Sequence, residues 1–100
     1  MATWKKPDQS REKNAALVAL GQQIRTVREG RGISQEDFAA QAGIARSYYG
    51  GIERGERNVA ALNLMLIAAA LGVEVGELFP PVRILSELQN GTKGVVAEEE

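Results

Sequence analysis

One hundred residues are enough for one compact domain and leave little for a second. At 44% hydrophobic and 25% charged the chain can bury a core and stay soluble, and with few aromatics that core is aliphatic and alanine-rich, which favours helices. The absence of both cysteine and histidine excludes disulfides, thiolate or imidazole metal sites, cysteine nucleophiles and histidine general bases, and is compatible with a reducing cytosol.

The net charge of −1 argues by itself against a polyanionic partner, but its distribution does not. Residues 1–31 hold seven Lys or Arg against three acids, whereas residues 58–100 hold two against six. A basic face can therefore bind phosphate while an acidic C-terminal part cancels it in the total. The longest apolar stretch, Leu64 to Leu71, is far short of the roughly 20 residues of a membrane span. Lys5 and Lys6 are followed by no apolar segment before Arg11, so no secretory leader is expected.

In chain order, residues 1–12 read as a mobile N-terminal arm carrying Pro7 and mixed charge. A first helix starts between Ser10 and Asn14, either of which can cap it. Leu17, Leu20, Ile24 and Val27 recur at helical steps, with Arg25 and Arg28 expected off that stripe, in solvent; Gly30 and Gly32 stop the helix. Ser34 opens a short second helix, with Asp37 placed for a reciprocal cap and Glu36 and Asp37 suited to the positive end of the dipole. Phe38, Ala39 and Ala42 form its inner face, and Gly43 ends it in a left-handed turn.

A third helix runs from about Ala45 to Glu53, with Tyr48 or Tyr49 and Ile52 inward. Asn58 is a candidate cap for a fourth, Ala60 to Leu71, closed by Gly72. A last short helix near Val75 to Phe79 stops at Pro80 and Pro81. The domain is thus expected over residues 13–80, and residues 81–100 form a C-terminal extension that is largely disordered beyond Asn90.

The stretch from Gln35 to Arg54, QEDFAAQAGIARSYYGGIER, places two short helices around Gly43 with a small residue, Ala39, at their crossing. Together with Ser34-Gln35, Ile52-Glu53, Gly55 and the later AAALGV block, it closely resembles the Cro and phage-repressor type of helix-turn-helix regulators. Around IERGERN it is similar to controller proteins of restriction-modification systems. The resemblance implies an all-α, five-helix, lambda repressor-like DNA-binding domain, with Ala45 to Glu53 as the recognition helix in a major groove.

Position by position, the resemblance implies that Ala45, Arg46, Ser47 and Gly51 face base edges. It implies that Gln35, Arg54 and the amide of Gly55 meet phosphate; Arg57 has the charge and reach for the same role, and Tyr48 either contacts backbone phosphate or covers the core edge. Chemistry agrees for Arg46, whose guanidinium matches guanine O6 and N7, and for the methyl of Ala45 against thymine. Two features depart from the pattern: Ala45 stands where a capping Ser or Thr is common, and Gly50-Gly51 replace polar residues. Each glycine costs about 1 kcal/mol of helix stability relative to alanine. Either specificity concentrates on Arg46 and Ser47, or the glycines permit closer approach to the groove.

Glu53 reads as a structural carboxylate rather than a catalytic one; it either pairs with Arg25 or Arg28 or caps local amides. Lys5, Lys6, Arg11 and Lys13 read as a solvated tail in preference to a DNA-reaching arm. Helix four carries apolar residues on most sides, and Leu66, Val73, Val75, Leu78 and Phe79 are the expected surface of a two-fold homodimer. The expected partner is double-stranded DNA, with no membrane, no cofactor and no metal. The expected location is the cytoplasm, at the nucleoid. The rival readings are an antitoxin whose tail engages a toxin, and a protein-interaction module that keeps the fold without binding DNA. No base stands next to a nucleophile, so no enzymatic activity is expected.

Overall fold

The computed structural model describes residues 14–81 and Arg83; the N-terminal arm with Lys5, Lys6, Ser10, Arg11 and Lys13, and all but Arg83 of residues 82–100, lie outside the described residues. The described chain is all-helical. Helix α1 spans Ala15–Gly30, α2 Gln35–Ala42, α3 Arg46–Glu53 and α4 Ala61–Leu71; a 3₁₀ turn, Val75–Leu78, follows. The expected fifth helix is thus one tight turn among the described residues. Gly76 inside it and Pro80-Pro81 beyond leave no room for a longer run.

Local chemistry sets the boundaries. Asn14 Oδ1 accepts the amides of Ala16 and Leu17, at 2.8 and 3.3 Å, and starts α1. Ser34 Oγ accepts the amide of Asp37 at 3.0 Å and starts α2. A full reciprocal box is built at the 3₁₀ turn, where the Glu77 carboxylate accepts the amide of Glu74 at 3.0 Å. Asn58 does not cap α4: it lies exposed in the preceding loop, and the N-cap position is Ala60, which makes no side-chain capping bond. The left-handed turns at Gly43 and Gly72, with φ of 74° and 76°, end α2 and α4.

The core is a single cluster. Leu20 and Ile24 of α1, Phe38, Ala39 and Ala42 of α2, Ile44, Tyr49 and Ile52 around α3, and Leu64, Ile67, Ala68 and Leu71 of α4 all contribute, with Leu78 beneath. Phe38 and Tyr49 meet with ring centroids 5.2 Å apart and planes tilted by 52°, which ties α2 to α3. Gly21 marks where α1 crosses α3. A side-chain carbon added there would lie 2.4 Å from the carbonyl oxygen of Ile52 and 2.6 Å from that of Glu53. Two backbones touch at this point.

Two expectations about side chains are corrected. Arg28 is not in solvent; it is 7% exposed and enters the core one turn beyond Ile24. A guanidinium tolerates that position because each of its three nitrogens donates to an acceptor. Its Nε reaches Glu53 Oε2 at 2.7 Å, Nη2 reaches Oε1 at 3.1 Å, and Nη1 donates to the carbonyl of Ile33 at 2.7 Å. Leu78, expected on a dimer surface, is fully buried: it is the apolar residue with which the 3₁₀ turn plugs the core.

Candidate nucleic-acid interface

Helices α2 and α3 are joined by Gly43, Ile44 and Ala45. The positive φ of Gly43 reverses the chain, and the amide of Ile44 donates to the carbonyl of Ala39 at 2.9 Å, closing the turn. Ala39 is 1% exposed at this junction, so any larger side chain would part the two helices. Tyr49 and Ile52 lock the inner side of α3 into the core, which leaves Ala45, Arg46 and Ser47 exposed at its first turn. Ala45 occupies the N-cap without a side-chain bond, as its methyl dictates.

A buried polar cluster fixes α3 against the end of α1 and the start of α2. The Glu53 carboxylate, 5% exposed, accepts from Arg28, from the Tyr49 hydroxyl and from Gln35 Nε2, the last at 2.8 Å. Burial is the largest influence on this carboxyl and opposes its ionisation. The hydrogen bonds from Arg28, Tyr49 and Gln35, with the Arg28 charge, outweigh it and hold Glu53 below the usual carboxylate value. The bond to Glu53 raises Arg28 further, while burial and then the Glu53 bond push the Tyr49 hydroxyl well above its ordinary value. The ionised Arg28–Glu53 pair with a neutral Tyr49 is therefore the resting state. Glu53 is structural, and the two pairing candidates resolve to Arg28, since Arg25 bonds Glu29 at 3.0 Å.

Gln35, the first residue of α2, is half-buried, with its amide held by Glu53 and its oxygen beside Gly50. Beyond α3, Arg54 is exposed and pairs with Glu56 at 3.1 Å, and its guanidinium lies over Gly50. Arg57 is exposed and stacks on the Tyr48 ring, with Cζ 5.6 Å from the centroid. Tyr48 itself is half-buried, covering the core edge. Arg46, Arg54 and Arg57 thus supply exposed positive charge along α3 and the loop after it.

In α1 and the turn after it the described basic residues are committed. Arg28 is buried, Arg25 is paired, and Arg31 Nε donates to the last carbonyl of α4, Leu71, at 3.0 Å. The basic excess of residues 1–31 is therefore not one DNA-ready face among the described residues.

Two of the expected contact positions are placed differently. Gly55 is buried with φ of 77°, tight against Val18, and its amide donates to the carbonyl of Ile52 at 3.0 Å. That amide is spent inside the fold and is not available as a phosphate clamp. Gly51 is buried under the stem of Arg57, so the surface at that place belongs to Arg57.

The apolar surface is also partly relocated. Leu66 and Phe79 are exposed, at 38% and 42%, but Val73 and Val75 are half-buried against the core. Leu62 and Met65, not expected in this role, are the most exposed large apolar residues, at 63% and 52%. Once Leu64, Ile67, Ala68 and Leu71 are assigned to the core, Leu62, Met65 and Leu66 remain as a second stripe at helical spacing. Among the described residues no cluster of acidic side chains is placed to hold a metal, and no helix is long and apolar enough to cross a membrane.

Comparison with known proteins agrees with this geometry. The family described as Helix-turn-helix matches residues 24–78, more than half of the chain. Control protein C.MunI from Mycoplasma sp is 41% identical over 70 residues, covering 69% of this chain and 95% of that protein. The restriction-modification controller protein C.AhdI from Aeromonas hydrophila superposes with a TM-score of 0.64 at 49% identity, over 65% of this chain and 98% of that one. The biofilm regulator SinR, solved in complex with DNA, superposes with a TM-score of 0.57 at 37% identity, over 59% of this chain and 95% of that one. The chain belongs to the helix-turn-helix family of DNA-binding transcription regulators, among relatives that include restriction-modification controller proteins.

Proposed function

We propose that the chain controls transcription by binding a roughly palindromic DNA operator as a homodimer, in the manner of a repressor or controller protein. The observation that carries this reading is the division of α3. Its inner side is locked by Tyr49, Ile52 and Glu53, while Arg46 and Ser47 stand exposed at its first turn and Arg54 and Arg57 flank its end. A helix held so firmly on one side presents its other side without reorganisation.

In this reading α3 enters the major groove. Arg46 reads guanine, Ser47 accepts either hydrogen-bond pattern, and the Ala45 methyl meets thymine. Gln35, Tyr48, Arg54 and Arg57 set register on the phosphates without carrying sequence information. Leu62, Met65 and Leu66, with Phe79, supply the apolar surface for a two-fold partner, since three large exposed apolar residues on one helical stripe are costly in a monomer. The dimer sets two α3 helices about one DNA turn, roughly 34 Å, apart. Binding over a promoter represses, and turnover of a substrate plays no part. Such a protein works in the cytoplasm, on the chromosome.

The reading is tested by selecting bound duplexes from a random pool at moderate salt. Enrichment of a two-fold symmetric sequence, with affinity that falls steeply as salt rises, is the expected result. No enrichment even at low salt would overturn it.

A further inference from the structure

Glycine in the middle of a helix weakens it, so Gly51 needs a reason. At Gly21 and Gly55 the reason is packing, because an added carbon would strike α1 or α3 backbone. Gly51 differs. The three nearest atoms to a carbon added there all belong to one side chain, that of Arg57: Cγ at 2.9 Å, Nε at 3.4 Å and Cδ at 3.7 Å. Glycine at 51 leaves a channel across α3, and the arginine stem six residues downstream lies in it.

The loop is built to deliver that stem. The positive φ of Gly55 turns the chain back, and the amide of Glu56 donates to the carbonyl of Gly51 at 2.8 Å. Arg57 then passes over Gly51 and reaches Tyr48, whose ring lies 5.6 Å from Cζ. Tyr48 and Gly51 are three residues apart and share a helix face. The guanidinium is thereby carried back over Tyr48, in the first turn of α3.

We propose that Gly51 is a positioning residue: its missing side chain, with the Tyr48 ring, forms a seat that holds Arg57 on the DNA-facing surface of α3. The proposal rests on the reading that α3 and Arg57 face DNA. It also gives the second glycine of the pair a purpose that helix propensity opposes. An arginine fixed in advance loses less rotamer freedom on binding than a free one.

The test uses the full chain and a duplex carrying the selected operator. Wild type, Gly51→Ala, Arg57→Ala and the double variant are titrated across a salt series, and each is melted. Arg57→Ala is expected to weaken binding about tenfold and to lower the salt slope by about one. Gly51→Ala is expected to weaken it about two- to fivefold or more, the share of a lost exposed cation–π seat. Its melting temperature holds or rises, because alanine favours the helix. The double variant binds no more weakly than Arg57→Ala alone. Tyr48→Leu weakens binding beyond Tyr48→Phe by about the Gly51→Ala factor, since both lose the hydroxyl and only Leu loses the ring under Arg57.

Wild-type affinity in a folded Gly51→Ala variant would overturn the seat. So would a further loss from Gly51→Ala in the Arg57→Ala background, which would mark a structural effect unrelated to Arg57. Unchanged binding by Arg57→Ala, with the operator still selected, would overturn the assignment of Arg57 to DNA and the seat with it. That outcome would leave the regulator reading standing.

Discussion

Gly21→Ala separates packing from helix propensity, because the two effects have opposite signs. Propensity alone favours alanine inside α1 by about 1 kcal/mol. The fold opposes it: the new methyl carbon would lie 2.4 Å from Ile52 O and 2.6 Å from Glu53 O, and ordinary contact begins near 3.4 Å. The helices must therefore part by about 1 Å where both are backbone and neither has a flexible side chain to yield. Overpacking costs about 1–3 kcal/mol, and a backbone contact belongs at the upper end of that range. Subtracting the propensity gain leaves a net loss of about 2 kcal/mol. For a domain of this size that lowers the melting temperature by about 8–16 °C. Circular dichroism with heat and urea measures it, with Gly30→Ala as the control, since an added carbon there meets nothing within 4 Å. A Gly21→Ala variant as stable as the wild type or more so would refute the close crossing.

The buried ion pair gives a second expectation. Glu53→Ala strands the Arg28 charge in the core and should cost about 3–5 kcal/mol in urea unfolding, with Arg28→Met added to it restoring part of the loss. A cost near that of a surface substitution would mean that Arg28 reaches water. Stability should also depend on pH at both ends. Glu53 lies below its unfolded value near 4.5, so its contribution is full above that pH and is lost as pH falls through the lowered folded value. Tyr49 lies above its unfolded value near 10, so its contribution is full below pH 10 and is lost at higher pH. A melting temperature that stays flat below pH 4 in wild type, or that falls equally in wild type and Glu53→Gln, would contradict the Glu53 part. Finally, Leu62→Glu with Leu66→Glu should convert a dimer to a folded monomer in sedimentation, since both side chains are exposed within one chain. An unchanged dimer would move the interface elsewhere.

The helix-turn-helix was legible in the sequence because its constraints are local. Ser34 caps through its own hydroxyl, Gly43 supplies its own positive φ, and Ala39 shows its smallness directly. What stayed hidden depends on partners distant in sequence. Periodicity sends an arginine to the surface, and only Glu53, 25 residues on, makes Arg28 a core residue. The small size of Gly21 matters only because α3 lies across it. In α4 the apolar residues run all round, so the sequence signals surplus surface without showing which residues are left over. The neighbours sort them: Leu64 and Ile67 go inward, Leu62 and Met65 outward. Leu78 reads as a surface residue in the sequence, although the 3₁₀ turn drives it inward. The pair Gly50-Gly51 departs from helix propensity, and its occupants, Arg54 and Arg57, come from the loop beyond the helix.

Exposed residues at the start of α3 are proposed to read DNA sequence, with Arg46 as the principal reader. The most direct measurement is a parallel selection of bound duplexes from a random pool by wild type and Arg46→Ala. A symmetric wild-type consensus that relaxes at one guanine per half-site in the variant is the expected result, with discrimination there falling by about 1–3 kcal/mol. An identical consensus from both proteins would contradict the claim.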